Sequence, residues 1–199
     1  MSECVSFLAE IVTQMMLSDI TTPLLGIAAW SGTGKTTLLE ALLPELRARG
    51  LCVAVIKHAH HDFDVDVPGK DSHRLRQAGA APMLVASHRR FALMMETPGR
   101  DEPYLPELIA QVLMLSPDLI LIEGFKQWSL PKLELYRAAV GKTLRAFEDP
   151  WVRAVATTDD VKLPDNVERL DLNNHEMLLD WIMAWPSRWP GMSQGPRHE

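Results

Sequence analysis

The chain has little cysteine, no surplus of positive charge and no long apolar run, and each lack removes a class of function. Its 199 residues include two cysteines, Cys4 and Cys52, which exclude a disulfide framework and a four-thiolate zinc centre. They fit a reducing, cytosolic compartment, and Cys52, set in an apolar run, reads as a small buried hydrophobe. Lys and Arg number 20 against 26 Asp and Glu, a formal net charge of −6. Proteins that coat nucleic acid or an anionic bilayer carry the opposite balance, so neither is expected as a partner. The most apolar early stretch, Val5–Leu17, is interrupted by Glu10 and Gln14 and is too short to cross a bilayer. Glu3 precedes it where a secretory leader carries basic residues.

What is present is an ordinary globular composition, 47% hydrophobic and 23% charged, which excludes wholesale disorder and suits one domain. Residues 1–22 read as an amphipathic N-terminal extension with Val5, Leu8, Ile11, Val12 and Met15 at helical spacing. Residues 23–185 read as the domain and 186–199, rich in proline and glycine, as a flexible tail. Within the domain, strands are expected at Leu24–Trp30, Leu51–Lys57, Met83–Ser87, Arg90–Met95, Asp118–Ile122, Lys132–Tyr136 and Val152–Ala156. Helices are expected at Lys35–Arg49, Lys70–Ala80, Leu105–Leu115 and His175–Trp185. Strands apolar on both faces that alternate with helices predict an α/β fold, a mostly parallel sheet with helices on both faces.

The strongest chemical signal is Ala29-Trp30-Ser31-Gly32-Thr33-Gly34-Lys35-Thr36-Thr37, between an expected strand and an expected helix. That is the setting of a phosphate loop, and it makes the fold P-loop NTPase-like. Its glycines let the backbone curl round an anion, and its N–H groups and the helix N-terminus present partial positive charge. Lys35 is placed to reach the terminal phosphates and the Thr36 hydroxyl to ligate Mg²⁺. The usual first glycine is replaced by Ala29, which narrows the conformations open to the loop entry.

The second strand runs into Lys57-His58-Ala59-His60-His61-Asp62-Phe63-Asp64-Val65-Asp66. Ligands of open α/β sheets bind outside the carboxyl ends of the strands, so this loop is expected beside the phosphate loop. Asp62 and Asp64 are the preferred carboxylates for Mg²⁺. A transition-metal site built from the histidines and a solvated polar loop are the competing readings. Lys70 is either a second phosphate contact or a surface lysine. The strand Asp118–Ile122 ends in Glu123-Gly124-Phe125-Lys126. A carboxylate at such a strand tip holds Mg²⁺ or orients the attacking water, which makes Glu123 the candidate. Lys126 contacts phosphate or pairs with Glu123. Glu96 and Thr97 line the crevice on topology alone, with a surface turn as the alternative. An Asp within Ala156-Thr157-Thr158-Asp159-Asp160 has the chemistry to accept from guanine N1 and N2, although the Asn/Thr-Lys-x-Asp form is absent.

Taken together, residues 29–38, Ile56–Asp66, Pro68–Ser72, Arg76–Ala80 and Leu121–Lys126 resemble the MobB family, adaptors of molybdopterin-guanine dinucleotide biosynthesis. The resemblance covers about residues 23–183. It implies a cytoplasmic, homodimeric GTP-binding protein, at most a weak GTPase, that assists the guanylyltransferase MobA. The nucleotide set is then Trp30, Ser31, Gly32, Thr33, Gly34, Lys35, Thr36, Thr37, His61, Asp62, Phe63, Asp64, Glu96, Thr97, Glu123, Gly124 and Lys126. Lys35 and Glu123 would act in any hydrolysis, and Thr36, Asp62 and Glu123 would surround Mg²⁺. Direct contact with molybdopterin stays open. Arg74, Arg76, Arg89 and Arg90 are the candidates for a charge over the γ-phosphate. Two other classes compete: a small P-loop kinase acting on a metabolite, and an interaction module with a relic loop, for which the final helix stripe of Met177, Leu178, Trp181, Ile182 and Trp185 is the feature to watch.

Overall fold

The computed structural model describes residues 20–59, 63–97 and 99–189. The helical reading of residues 1–19, His61, Asp62 and the end of the tail lie outside them. The described chain forms two compact units, one from residues up to His58 and from Tyr104 on, the other Ala59–Pro103.

The larger unit is built on six strands: β1 (Leu24–Ala29), β2 (Val53–Lys57), β5 (Leu119–Glu123), β6 (Lys132–Leu135), β7 (Val152–Ala156) and β8 (Glu168–Leu170). Their order is β2-β5-β1-β6-β7-β8, and every pairing is parallel. Alternation along the strands divides the core. Leu25, Ile27, Leu119, Leu121, Leu133 and Leu135 point to one face, under α1 (Lys35–Ala48), α4 (His175–Met183) and α5 (Trp185–Arg188). Leu24, Ile120, Ile122 and Leu130 join Leu105 and Ile109 of α3 (Leu105–Leu113) on the other. Both faces are covered, so the central strands carry continuous apolar runs, as a parallel sheet requires.

The expected strands and helices all form, with ends shifted by a few residues. The last helix divides into α4 and α5 around Ala184, just before Pro186, because proline removes an interior backbone donor. Leu178, Trp181, Ile182 and Trp185 are buried, and the Trp185 indole N–H donates to Leu24 O at 3.0 Å. That stripe is core packing, and only Met177 faces out. β8 was not expected, since only Leu170 of its three residues is buried. Cys52 is a correction: it is exposed. It stands just ahead of the edge strand β2, where its N–H donates to the Asp118 carboxylate at 2.7 Å.

The smaller unit holds α2 (Asp71–Gln77) and an antiparallel hairpin of β3 (Met83–Ala86) and β4 (Phe91–Met94). Arg76 organises it. Its guanidinium binds Asp64 at 2.5 Å, Asp66 at 2.8 Å and Glu96 at 2.5 Å.

Candidate functional site

β5, β1 and β6 are neighbours in the sheet, so the segments leaving their carboxyl ends meet at one edge. The segment after β1 turns tightly, with Thr33 N–H donating to Trp30 O, and reaches α1 through Gly34 at φ 97° and ψ 19°. This left-handed conformation suits glycine. No side chain caps α1. Its first amides are therefore open to an anion, with the helix dipole behind them.

The loop is braced from behind. The buried Thr33 hydroxyl donates to Trp30 O at 2.8 Å, so that side chain serves the loop's own shape. Arg137 Nε donates to Thr33 O at 3.2 Å, and the Trp30 indole N–H donates to Thr143 O at 2.9 Å. Both braces come from the irregular segment after β6, which carries no motif to mark it. Ser31, Gly32, Gly34, Thr36 and Thr37 face solvent.

Lys35 Nζ lies 3.1 Å from Glu123 Oε1, and both side chains are largely buried. The two residues expected to act on phosphate and on Mg²⁺ are therefore brought together. Lys126 does not take the partnership with Glu123. Its Nζ stands 5.6 Å from the Trp30 ring centroid, and its pKa is pushed down by burial, then by the nearby charges of Arg145 and Lys35. Gly124 sits at φ 96°, and a Cβ there would come 2.8 Å from His58 Cβ. Its lack of a side chain lets the ends of β5 and β2 close together, where His58 N–H donates to Glu123 O at 2.9 Å.

Of the remaining expected residues, His61 and Asp62 lie outside the described ones. Phe63 is 73% exposed. Asp64 and Glu96 belong to the smaller unit, where both are held by Arg76, and Thr97 follows as an exposed residue of irregular backbone. Asp66 is the most enclosed of the Arg76 partners, and its hydrogen bond from that guanidinium holds its carboxyl below the usual range. Arg76 is thus committed to carboxylates. Among the described residues no His, Cys, Asp and Glu group suits a metal by itself. Thr36 and Glu123 offer the hard oxygen donors that Mg²⁺ prefers.

A pocket of about 500 Å³ opens past the carboxyl ends of β7 and β8, with Thr157, Asp159, Asp160 and Arg169 among its walls. Asp159 Oδ2 accepts from Ala138 N–H at 2.7 Å and is bonded to the Thr157 hydroxyl. Asp160 is exposed to the pocket. Since Ala138 follows Arg137, which holds Thr33, one short segment ties this pocket to the phosphate loop.

The chain is similar to known proteins over most of its length. The family model for molybdopterin guanine dinucleotide synthesis protein B, MobB, matches residues 24–158. The molybdopterin-guanine dinucleotide biosynthesis adapter protein of Escherichia coli (strain K12) is 49% identical over 170 residues, covering 85% of this chain and 96% of its own length. The adapter protein of Haemophilus influenzae is 43% identical over 170 residues, covering 85% and 92%. A crystal structure of molybdopterin-guanine biosynthesis protein B superposes with a TM-score of 0.64 at 24% identity, over 82% of this chain and 99% of that one. The MobB homologue from Bacillus stearothermophilus does so at 0.59 and 22%, over 83% and 98%.

Proposed function

The chain belongs to the MobB family, and from that membership we propose that this molybdopterin-guanine dinucleotide biosynthesis adapter holds Mg–GTP for the guanylyltransferase MobA. The observation that carries the nucleotide part is the uncapped start of α1 behind Gly34, with Lys35 and Glu123 paired at its mouth. Open amides and a helix dipole bind phosphate without help from net charge, so the acidic balance of the chain is no obstacle. Lys35 leaves Glu123 to meet the terminal phosphates. The Thr36 hydroxyl and Glu123 would hold Mg²⁺, with Asp62 as the further carboxylate expected from sequence, and the ion would supply charge neutralisation to the phosphates.

Guanine selection is assigned to the pocket past β7, through Asp160. Asp159 is already engaged with Ala138 and Thr157. Slow hydrolysis is part of this reading, and Arg76, a candidate for a charge over the γ-phosphate, is instead bound to three carboxylates. Glu123 is then the residue that orients water.

Homodimer formation is supported by the hairpin. Leu84 pairs with Leu93 and Ala86 with Phe91, which sets the four on one face. Leu84, Leu93 and Phe91 are 57%, 47% and 65% exposed. An apolar hairpin face with free strand edges suits a second copy. Among the described residues no helix is long and apolar enough to cross a membrane, and the proposed setting is cytoplasmic.

Calorimetric titration with Mg–GTP tests the reading. Lys35→Ala is expected to weaken binding about ten- to hundredfold, the weight of hydrogen bonds to a charged group. Equal affinity in the two proteins would end it.

A further inference from the structure

Three cations converge on Trp30. Arg145 Cζ lies 4.2 Å from the indole centroid, Lys126 Nζ 5.6 Å and Lys142 Nζ 5.7 Å. The sheet order explains the meeting. Trp30 follows β1, Lys126 follows β5, and Lys142 and Arg145 follow β6, which are adjacent strands. The indole is fixed in the group by its hydrogen bond to Thr143 O.

Attraction to an aromatic face accounts for a cation beside Trp30, but three together repel one another. Carboxylates of the same unit relieve this only in part. Glu123 is paired with Lys35 and Asp149 with Lys132. Glu134 is buried, feels the Arg145 charge, and accepts the N–H groups of Arg145 and Ala146 at 2.8 and 2.9 Å. It therefore fixes the backbone that carries Arg145. Among the described residues, none of Lys126, Lys142 and Arg145 has a carboxylate within ion-pair distance. The Arg145 Nε is buried with no hydrogen-bond partner. In a chain of net charge −6, this concentration of positive charge, offset only by Glu134 beneath Arg145, stands beside a loop shaped for phosphate.

We propose that Lys126, Lys142 and Arg145 around Trp30 form a second anion site, which takes the phosphomonoester group of a small molecule bound next to the phosphate loop. The charge and shape fit. A phosphomonoester carries close to two negative charges and three acceptor oxygens, and three separate cationic donors meet them. The phosphates of a nucleotide already have the loop amides and Lys35. The site rests on the nucleotide reading only for what lies beside it, with Lys126 standing between the two.

The test uses the full chain and glycerol 3-phosphate as probe, titrated by calorimetry against wild type, Lys35→Ala and the double variant K142Q/R145Q, each with and without saturating Mg–GTP. Binding is expected in wild type both with and without nucleotide, with at least a tenfold loss in K142Q/R145Q while Mg–GTP affinity stays within twofold. Retained probe binding in Lys35→Ala places it at the cluster whatever happens to GTP. That separates this site from the nucleotide reading. Lys142 is exposed, so K142Q alone gives a smaller loss in the same direction should R145Q fail to fold. No probe binding by wild type, or equal binding by wild type and K142Q, overturns the site. A variant that loses GTP affinity against GDP also overturns it, since the cluster would then read the γ-phosphate.

Discussion

The Lys35 ammonium is held 3.1 Å from the Glu123 carboxylate, so the cation suited to phosphate and the acid suited to the metal's surroundings neutralise each other. A nucleotide arriving without Mg²⁺ would face Glu123 as a repelling charge and would have to take Lys35 from it. Glu123→Gln removes the repulsion and loosens the hold on Lys35. Metal-free GTP is then expected to bind several-fold more tightly and Mg–GTP more weakly. The ratio of the two affinities, measured by calorimetry in EDTA and in Mg²⁺, should shrink about tenfold, the worth of one charged contact. An unchanged ratio would take Glu123 out of the metal's surroundings.

Arg76 makes the smaller unit depend on one guanidinium. Arg76→Ala leaves Asp64, Asp66 and Glu96 gathered without their cation. Hydrogen exchange within Ala59–Pro103 should accelerate while β1 and β5 stay protected. The pH dependence follows from Asp66, whose carboxyl lies below its ordinary value chiefly through the hydrogen bond from Arg76. A depressed acid contributes its full stability above the unfolded value and loses it as pH falls through the folded one. Protection of this unit should therefore decline from about pH 4 downward, and Asp66→Asn should flatten that decline.

Two glycines with left-handed backbones separate binding from stability. A Cβ on Gly124 would meet His58 Cβ at 2.8 Å, whereas one on Gly34 would have nothing within 4 Å. Gly124→Ala combines strain with a clash against a neighbouring strand end and should cost about 2–4 kcal/mol in denaturant unfolding. Gly34→Ala carries only the conformational cost, about 1 kcal/mol. It should nonetheless weaken Mg–GTP binding, because the turn into α1 relaxes. Equal effects of the two on unfolding would contradict this division.

The fold was legible because periodicity and burial agree: β1 and β5 are apolar on both faces, and α1 repeats leucine at helical spacing. The site was legible where a motif fixes the backbone, as at Gly32, Gly34 and Lys35, or where a carboxylate ends an apolar strand, as at Glu123. It was not legible after β6. Arg137, Lys142 and Arg145 brace the loop or crowd Trp30 from a segment of two short 3₁₀ turns, whose spacing carries no period. Only tertiary contact reveals them. Cys52 misled for a related reason, since an apolar run at a sheet edge need not be buried.

Base selection gives the sharpest chemical test. Guanine offers donors at N1 and N2, which a carboxylate accepts; xanthine keeps the N1 donor but presents a carbonyl oxygen at position 2. An amide side chain presents one acceptor and one donor and so matches xanthine. Asp160 is exposed in the pocket past β7, while Asp159 is engaged with Ala138 and Thr157. Asp160→Asn should thus lower Mg–GTP affinity about tenfold and raise Mg–XTP affinity, with Tm unchanged. Asp159→Asn should instead lower Tm, because the Ala138 N–H loses its charged acceptor. A base preference that follows Asp159 and ignores Asp160 would place guanine recognition on the other aspartate, and a preference indifferent to both would move it out of this pocket.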